Sequence, residues 1–186
     1  MYPRIVMLSI LLLMSNQAFS QDVKVTLGNE SARFMYITEA FGQDFGRLEM
    51  EAGFLYNENN DSLANIGLLV RGESVSVPMI VSLGARAYVA NVQSYSVGAI
   101  AIGGDLLFNP EIWGGVGIGA NYYVAPGVVA FRDAKDLTEY GVYVSYQITQ
   151  QAEMSLGYRV IDVEIRNDVG SIKLDKGGYF GLNLTF

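Results

Sequence analysis

Glu49 and Glu51 stand two residues apart in a stretch of alternating polarity, so both carboxylates project from one face. Such a pair could divide acid and base roles in a hydrolytic reaction. Arg71, Arg86 and Arg159 fall at the same parity in later stretches and offer the acids another role. In a closed interior, buried charges need partners, and the arginines would neutralise the carboxylates. Ser82, Ser145 and Ser155 reach the same face, but a serine nucleophile needs a base beside it and the chain has no histidine. The glycine run at 114–119 lacks the Lys-Ser/Thr that completes a phosphate loop. Its place within an alternating stretch fits a tight barrel wall better. The acidic run at 57–61 carries oxygen ligands of the kind calcium takes, and a solvated loop is the simpler reading. Glu49, Glu51, Arg71, Arg86, Glu139 and Arg159 therefore read as a lumen ion-pair cluster. No catalytic, cofactor-binding or metal-binding residue is assigned.

Composition narrows the classes further. The 186 residues include no cysteine and no histidine, which excludes a disulfide scaffold and any site built on those side chains. Lys and Arg number 12 against 19 Asp and Glu, a net charge of −7 that argues against nucleic acid as a partner. Half the chain is apolar (51%), far too much for a disordered segment.

Residues 1–20 read as a cleaved export signal. Arg4 precedes an apolar run from Ile5 to Met14, and Ala18 and Ser20 are the small residues a signal peptidase accepts before its cut. Ten apolar residues are too few for a membrane helix.

From Leu48 onward the apolar residues fall on every second position. The sets run Leu48, Met50, Ala52, Phe54, Tyr56; then Ala64, Ile66, Leu68, Val70; then Met79, Val81, Leu83, Ala85, Ala87, Val89. They continue through Val97, Ala99, Ala101 and Val116, Ile118, Ala120, Tyr122, Val124 to the chain end. Eight strands are predicted, at 46–57, 63–71, 78–91, 95–107, 112–125, 138–149, 152–165 and 177–186. Short connectors alternate with the longer, charged stretches 126–137 and 167–176, as in an up-and-down outer-membrane barrel with periplasmic termini. Residues 21–45 alternate in pieces shorter than the roughly 9–11 residues of a spanning strand. They read as a short hairpin or partial strand pair at the rim, with a ten-stranded barrel as the rival.

The face opposite the apolar sets carries Gly, Ser, Asn, Tyr and Gln, for example Gly117, Gly119, Asn121 and Gly141, Tyr143, Ser145, Gln147. These make a poor solvated coat and suit a narrow interior, so the apolar face points outward to lipid. Asp162 and Glu164 break the pattern and are placed above the bilayer. Asp105, after Gly103-Gly104, is turned inward by a bulge. Tyr56, Tyr95, Tyr140 and Phe180 mark an outer aromatic girdle, with Tyr146 and Phe186 at the periplasmic side. Phe180, Leu182, Leu184 and Phe186 form an alternating last strand ending on phenylalanine, which resembles the signal that outer-membrane barrels present to their assembly machinery.

Several segments resemble the YfaZ family of small bacterial outer-membrane proteins. They are Ala52-Gly53-Phe54-Leu55-Tyr56-Asn57, Ala120 to Pro126 with its Tyr-Tyr-x-Ala-Pro, Glu139-Tyr140-Gly141-Val142, Leu156-Gly157-Tyr158-Arg159 and the close from Gly178 to Phe186. The resemblance implies an outer-membrane barrel of the Gram-negative envelope and supplies no reaction. The expected function is a structural or interaction barrel, non-enzymatic and without cofactor, whose polar loops meet outer-membrane lipids and lipopolysaccharide. The alternatives are a narrow channel for ions or small solutes and, third, a lipid-modifying enzyme.

Overall fold

The computed structural model describes residues 20–43, 46–74, 76–166 and 170–186. The predicted export signal lies outside them, Ser20 apart. The described chain is a closed antiparallel barrel of ten strands. In chain order the elements are β1 (Gln21–Gly28), β2 (Ser31–Gln43), β3 (Gly46–Asn57), β4 (Ser62–Glu73), β5 (Met79–Val92), β6 (Tyr95–Phe108), β7 (Val116–Ala125), β8 (Ala130–Arg132), β9 (Ala134–Thr149), β10 (Ala152–Ile165) and β11 (Gly170–Thr185). Each wall strand pairs with its sequence neighbours, and β1 pairs with β11 to close the ring. The three-residue β8 continues the line of β7 along β6 after a single 3-10 turn at Gly127–Val129. It is the upper half of a broken seventh strand.

The strand count corrects the eight-stranded expectation. Residues 21–45 are not a rim hairpin, since β1 and β2 are wall strands. A rim hairpin would have left the edges of β3 and β11 unpaired, and two further strands satisfy both edges. The regions 126–137 and 167–176, expected as loops, are largely taken up by the starts of β9 and β11 and by β8.

Alternation places the apolar belt outside. Phe34, Phe54, Ile66, Leu83, Ile118, Val144 and Leu156 are all exposed on the outer wall. The outward charges Lys135, Asp162, Glu164 and Lys176 sit at the end of β9–β11 away from the termini. Inside, bulky side chains lie over glycines of the adjacent strand: Glu51 over Gly67, and Tyr143 over Gly119 and Gly157. A Cβ at any of these glycines would overlap its neighbour, which is why the strands are glycine-rich.

The strand β6 corrects the outward assignment of Val97, Ala99 and Ala101. All three are buried inside, with Tyr95 packed against the same core, while Ile100, Ile102 and Leu106 face out. Asp105 therefore points inward by plain parity. The β5–β6 register runs without interruption from Met79↔Phe108 to Val92↔Tyr95, so no bulge is involved. The misreading has a physical cause. In this half of the barrel both faces are apolar, and alternation does not tell them apart.

Candidate functional site: the barrel interior

The interior has three layers. At the loop end, away from the termini, an apolar core fills the lumen: Leu55, Leu63, Val92, Val97, Ala125, Leu137, Ile161, Val163 and Leu174 have almost no exposed surface. Polar braces cap it. Asn57 donates through Nδ2 to Asp61 Oδ2 (3.1 Å) and to the Leu174 carbonyl (2.9 Å). Asp61 Oδ1 accepts from the Gln93 amide (2.6 Å). Arg166 donates to the carbonyls of Ala134 and Ala130, both at 2.8 Å. The Asp61 carboxylate, weighed above as a calcium ligand, is thus occupied in bracing two turns. Among the described residues no group of three or more His, Cys, Asp or Glu could hold a metal.

Beneath the core lies a layer of charge. Arg33 donates to Glu139 (Nη1···Oε1, 2.6 Å) and to Asn65 Oδ1 (3.2 Å). Tyr88 donates its hydroxyl to the other Glu139 oxygen (2.7 Å), and Arg86 Nη1 stands 3.7 Å from that carboxylate. Arg86 makes a two-point contact with Glu51, from Nε to Oε1 and from Nη2 to Oε2 (3.0 Å). It stacks 3.7 Å from the Tyr123 ring and reaches Asp105 at 3.4 Å, while Tyr123 donates its hydroxyl to Asp105. Such pairing is what makes buried ions tolerable.

The six residues expected as one cluster all face the interior but divide into three groups. Glu51, Arg86 and Glu139 meet at the centre. Glu49 pairs with Arg71 (3.2 Å) nearer the end that carries the termini, where Arg47 and Glu73 make an exposed pair. Arg159 meets neither Glu49 nor Glu51; its partner is Asp175 (2.6 Å), whose second oxygen accepts from Ser31 (2.8 Å). Reading 167–176 as a loop hid Asp175. Arg33 was missed for the same reason that β2 was, although its place between outward Ala32 and Phe34 carried the parity signal. The serines Ser82, Ser145 and Ser155 are buried inside. The run 114–119 divides as well: Gly114 and Gly115 turn the chain with positive φ, and Gly117 and Gly119 line the wall of β7.

The third layer is open space. A cavity of about 410 Å³ opens at the end that carries the termini, with Asp22, Lys24, Glu49, Arg71, Gln147, Glu153 and Asn183 among its walls and the charge layer as its floor. The interior is a cup, packed with apolar side chains at the loop end and open at the other.

The model of the YfaZ precursor family matches residues 3–186 of the chain. No curated protein matches it. Among solved structures, a chain from a study of the in-meso crystallization of membrane proteins is similar over 90% of this chain and 83% of its own, at 12% identity and a TM-score of 0.48. The NanC porin is similar over 91% of this chain and 99% of its own, at 10% identity and a TM-score of 0.42.

Proposed function

The chain belongs to the YfaZ precursor family, and from that premise we propose that it is an exported outer-membrane barrel of structural or interaction type that does not conduct. The observation that carries this reading is the apolar plug. Side chains of β3–β7 and β9–β11 fill the loop half of the lumen to near-complete burial above the charge layer, a packing that supports a closed lumen. The outward apolar belt supports placement in a bilayer, because a soluble barrel would turn that face inward. An even strand count, with Gln21 and Phe186 paired at one end, supports a periplasmic position for the open cup. The loop end then meets lipopolysaccharide and outer-leaflet lipids, and the strand ending Phe180, Leu182, Leu184, Phe186 engages the assembly machinery. No reaction is assigned, because Glu51 and Glu139 are held by arginines and no histidine stands by the serines.

Planar-bilayer recording of the refolded protein tests the reading. A silent membrane at every applied voltage is expected. A steady single-channel conductance would replace it with the narrow-channel alternative.

A further inference from the structure

The cup contains one cation without an ion pair and two arginines with an N–H group that their carboxylates do not use. Lys24 lines the cavity from β1, with its Nζ 5.0 Å from the Tyr143 ring centroid and no ion pair among the described residues. Arg159 is 95% buried and spends Nε on Asp175 and Nη1 on Thr26 (3.2 Å), leaving Nη2 without a partner. Arg33 is 97% buried and leaves Nε unpartnered. Both arginines also line the cavity.

Register places the three together. Arg33 is the cross-strand partner of Thr26, Arg159 reaches Thr26 by its hydrogen bond, and Lys24 is the next inward residue of β1 toward the opening. Three cations thus share one patch of the inner wall, and Arg159 is hydrogen-bonded to its Thr26 hydroxyl. The neighbouring acids are committed: Glu139 to Arg33 and Tyr88, Asp175 to Arg159 and Ser31, Glu51 to Arg86. Glu153 stands level with Lys24 across β11 through Asn183 and makes no ion pair with it. A buried donor left unmade costs free energy that an entering acceptor would recover.

We infer that the cup is a binding site for a small oxyanion, a phosphate or carboxylate group, that enters from the end carrying the termini and is held by Lys24 with the free N–H groups of Arg33 and Arg159. A charged acceptor suits this site because its hydrogen bonds to ammonium and guanidinium groups are charge-assisted. The Tyr143 and Tyr179 rings wall the same cavity.

Calorimetric titration of the folded protein with inorganic phosphate and, separately, with acetate tests the site. Saturable binding of either is expected in the millimolar range or tighter, and which one binds distinguishes the phosphate from the carboxylate source. Lys24→Gln should weaken it at least about tenfold. Glu153→Gln should strengthen it by removing a nearby negative charge, an effect that a purely structural lysine would not produce. Lys173→Gln, which removes an exposed cation at the far end of β11, should leave it unchanged. Absence of saturable binding of both anions would overturn the inference. So would equal weakening by Lys24→Gln and Lys173→Gln, or unchanged affinity in Lys24→Gln. None of these outcomes depends on whether the barrel conducts.

Discussion

Arg33 and Glu139, 106 residues apart in the chain, form a 2.6 Å ion pair across the barrel with side-chain exposures of 3% and 1%. The pair ties β2 to β9, strands from opposite halves of the sequence, and with Arg86 and Tyr88 it makes the floor beneath the apolar plug.

Removing one partner of such a pair strands the other without compensation. Glu139→Ala is expected to cost about 3–5 kcal/mol, because Arg33 loses its acid and Arg86 and Tyr88 lose a shared acceptor. Arg33→Met combined with Glu139→Leu should cost clearly less than the sum of the single changes. Urea titration of the refolded protein in detergent micelles measures all of them. Strict additivity would show that the two side chains do not interact.

The two faces of one strand pair should respond unequally to the same new charge. Val144 and Leu156 are register partners on the outer wall, and arginine at either should cost about 2–4 kcal/mol in a bilayer. Gln147, on the inward parity of the same β9 and lining the open cup, should accept arginine for under about 1 kcal/mol. Refolding titrations into lipid vesicles compare them. Equal costs would invert the inside–outside assignment.

Gly84 and Gly103 mark places where neighbouring backbones press close. A Cβ at Gly84 would overlap the Leu68 carbonyl oxygen, and one at Gly103 the Tyr122 carbonyl oxygen. Backbone cannot swing aside as a side-chain tip can. Alanine at either site should therefore destabilise by about 1–3 kcal/mol. Gly72→Ala meets nothing within 4 Å and should be neutral or stabilising by up to about 1 kcal/mol. Thermal shift of the band from folded to unfolded mobility on gels ranks the three variants.

Deleting Phe186 should separate folding from delivery. The residue closes the ring by exchanging backbone hydrogen bonds with Gln21, at 2.8 Å and 3.3 Å, at the edge of the β1–β11 seam. The truncated chain is expected to refold in vitro with a slightly lower midpoint, yet to reach the outer membrane of cells in much lower amount. Membrane fractionation with heat-modifiable mobility reads both properties. Normal delivery would remove the assembly role of the terminal strand.

Much of the architecture followed from one periodicity. In strands, side chains alternate between faces, so the one-dimensional pattern from Leu48 to Phe186 was enough to identify an all-β barrel, its outward-facing parity on most strands, and the inward direction of Glu49, Glu51, Arg71, Arg86, Glu139 and Arg159. Composition removed histidine and cysteine chemistry without any reference to shape. The strand number was decided in three dimensions. β1 is short, and only the unpaired edges of β3 and β11, which exist only once the sheet curls, require it and β2 as wall. The phase of β6 was decided there too, because the plug makes both of its faces apolar and periodicity carries no sign where the inside is as dry as the outside. The partners of each charge were likewise beyond the pattern. Parity states that a side chain points inward, but which strand lies across the lumen, and hence that Arg159 meets Asp175 and Arg33 meets Glu139, depends on closure and register summed around the whole ring.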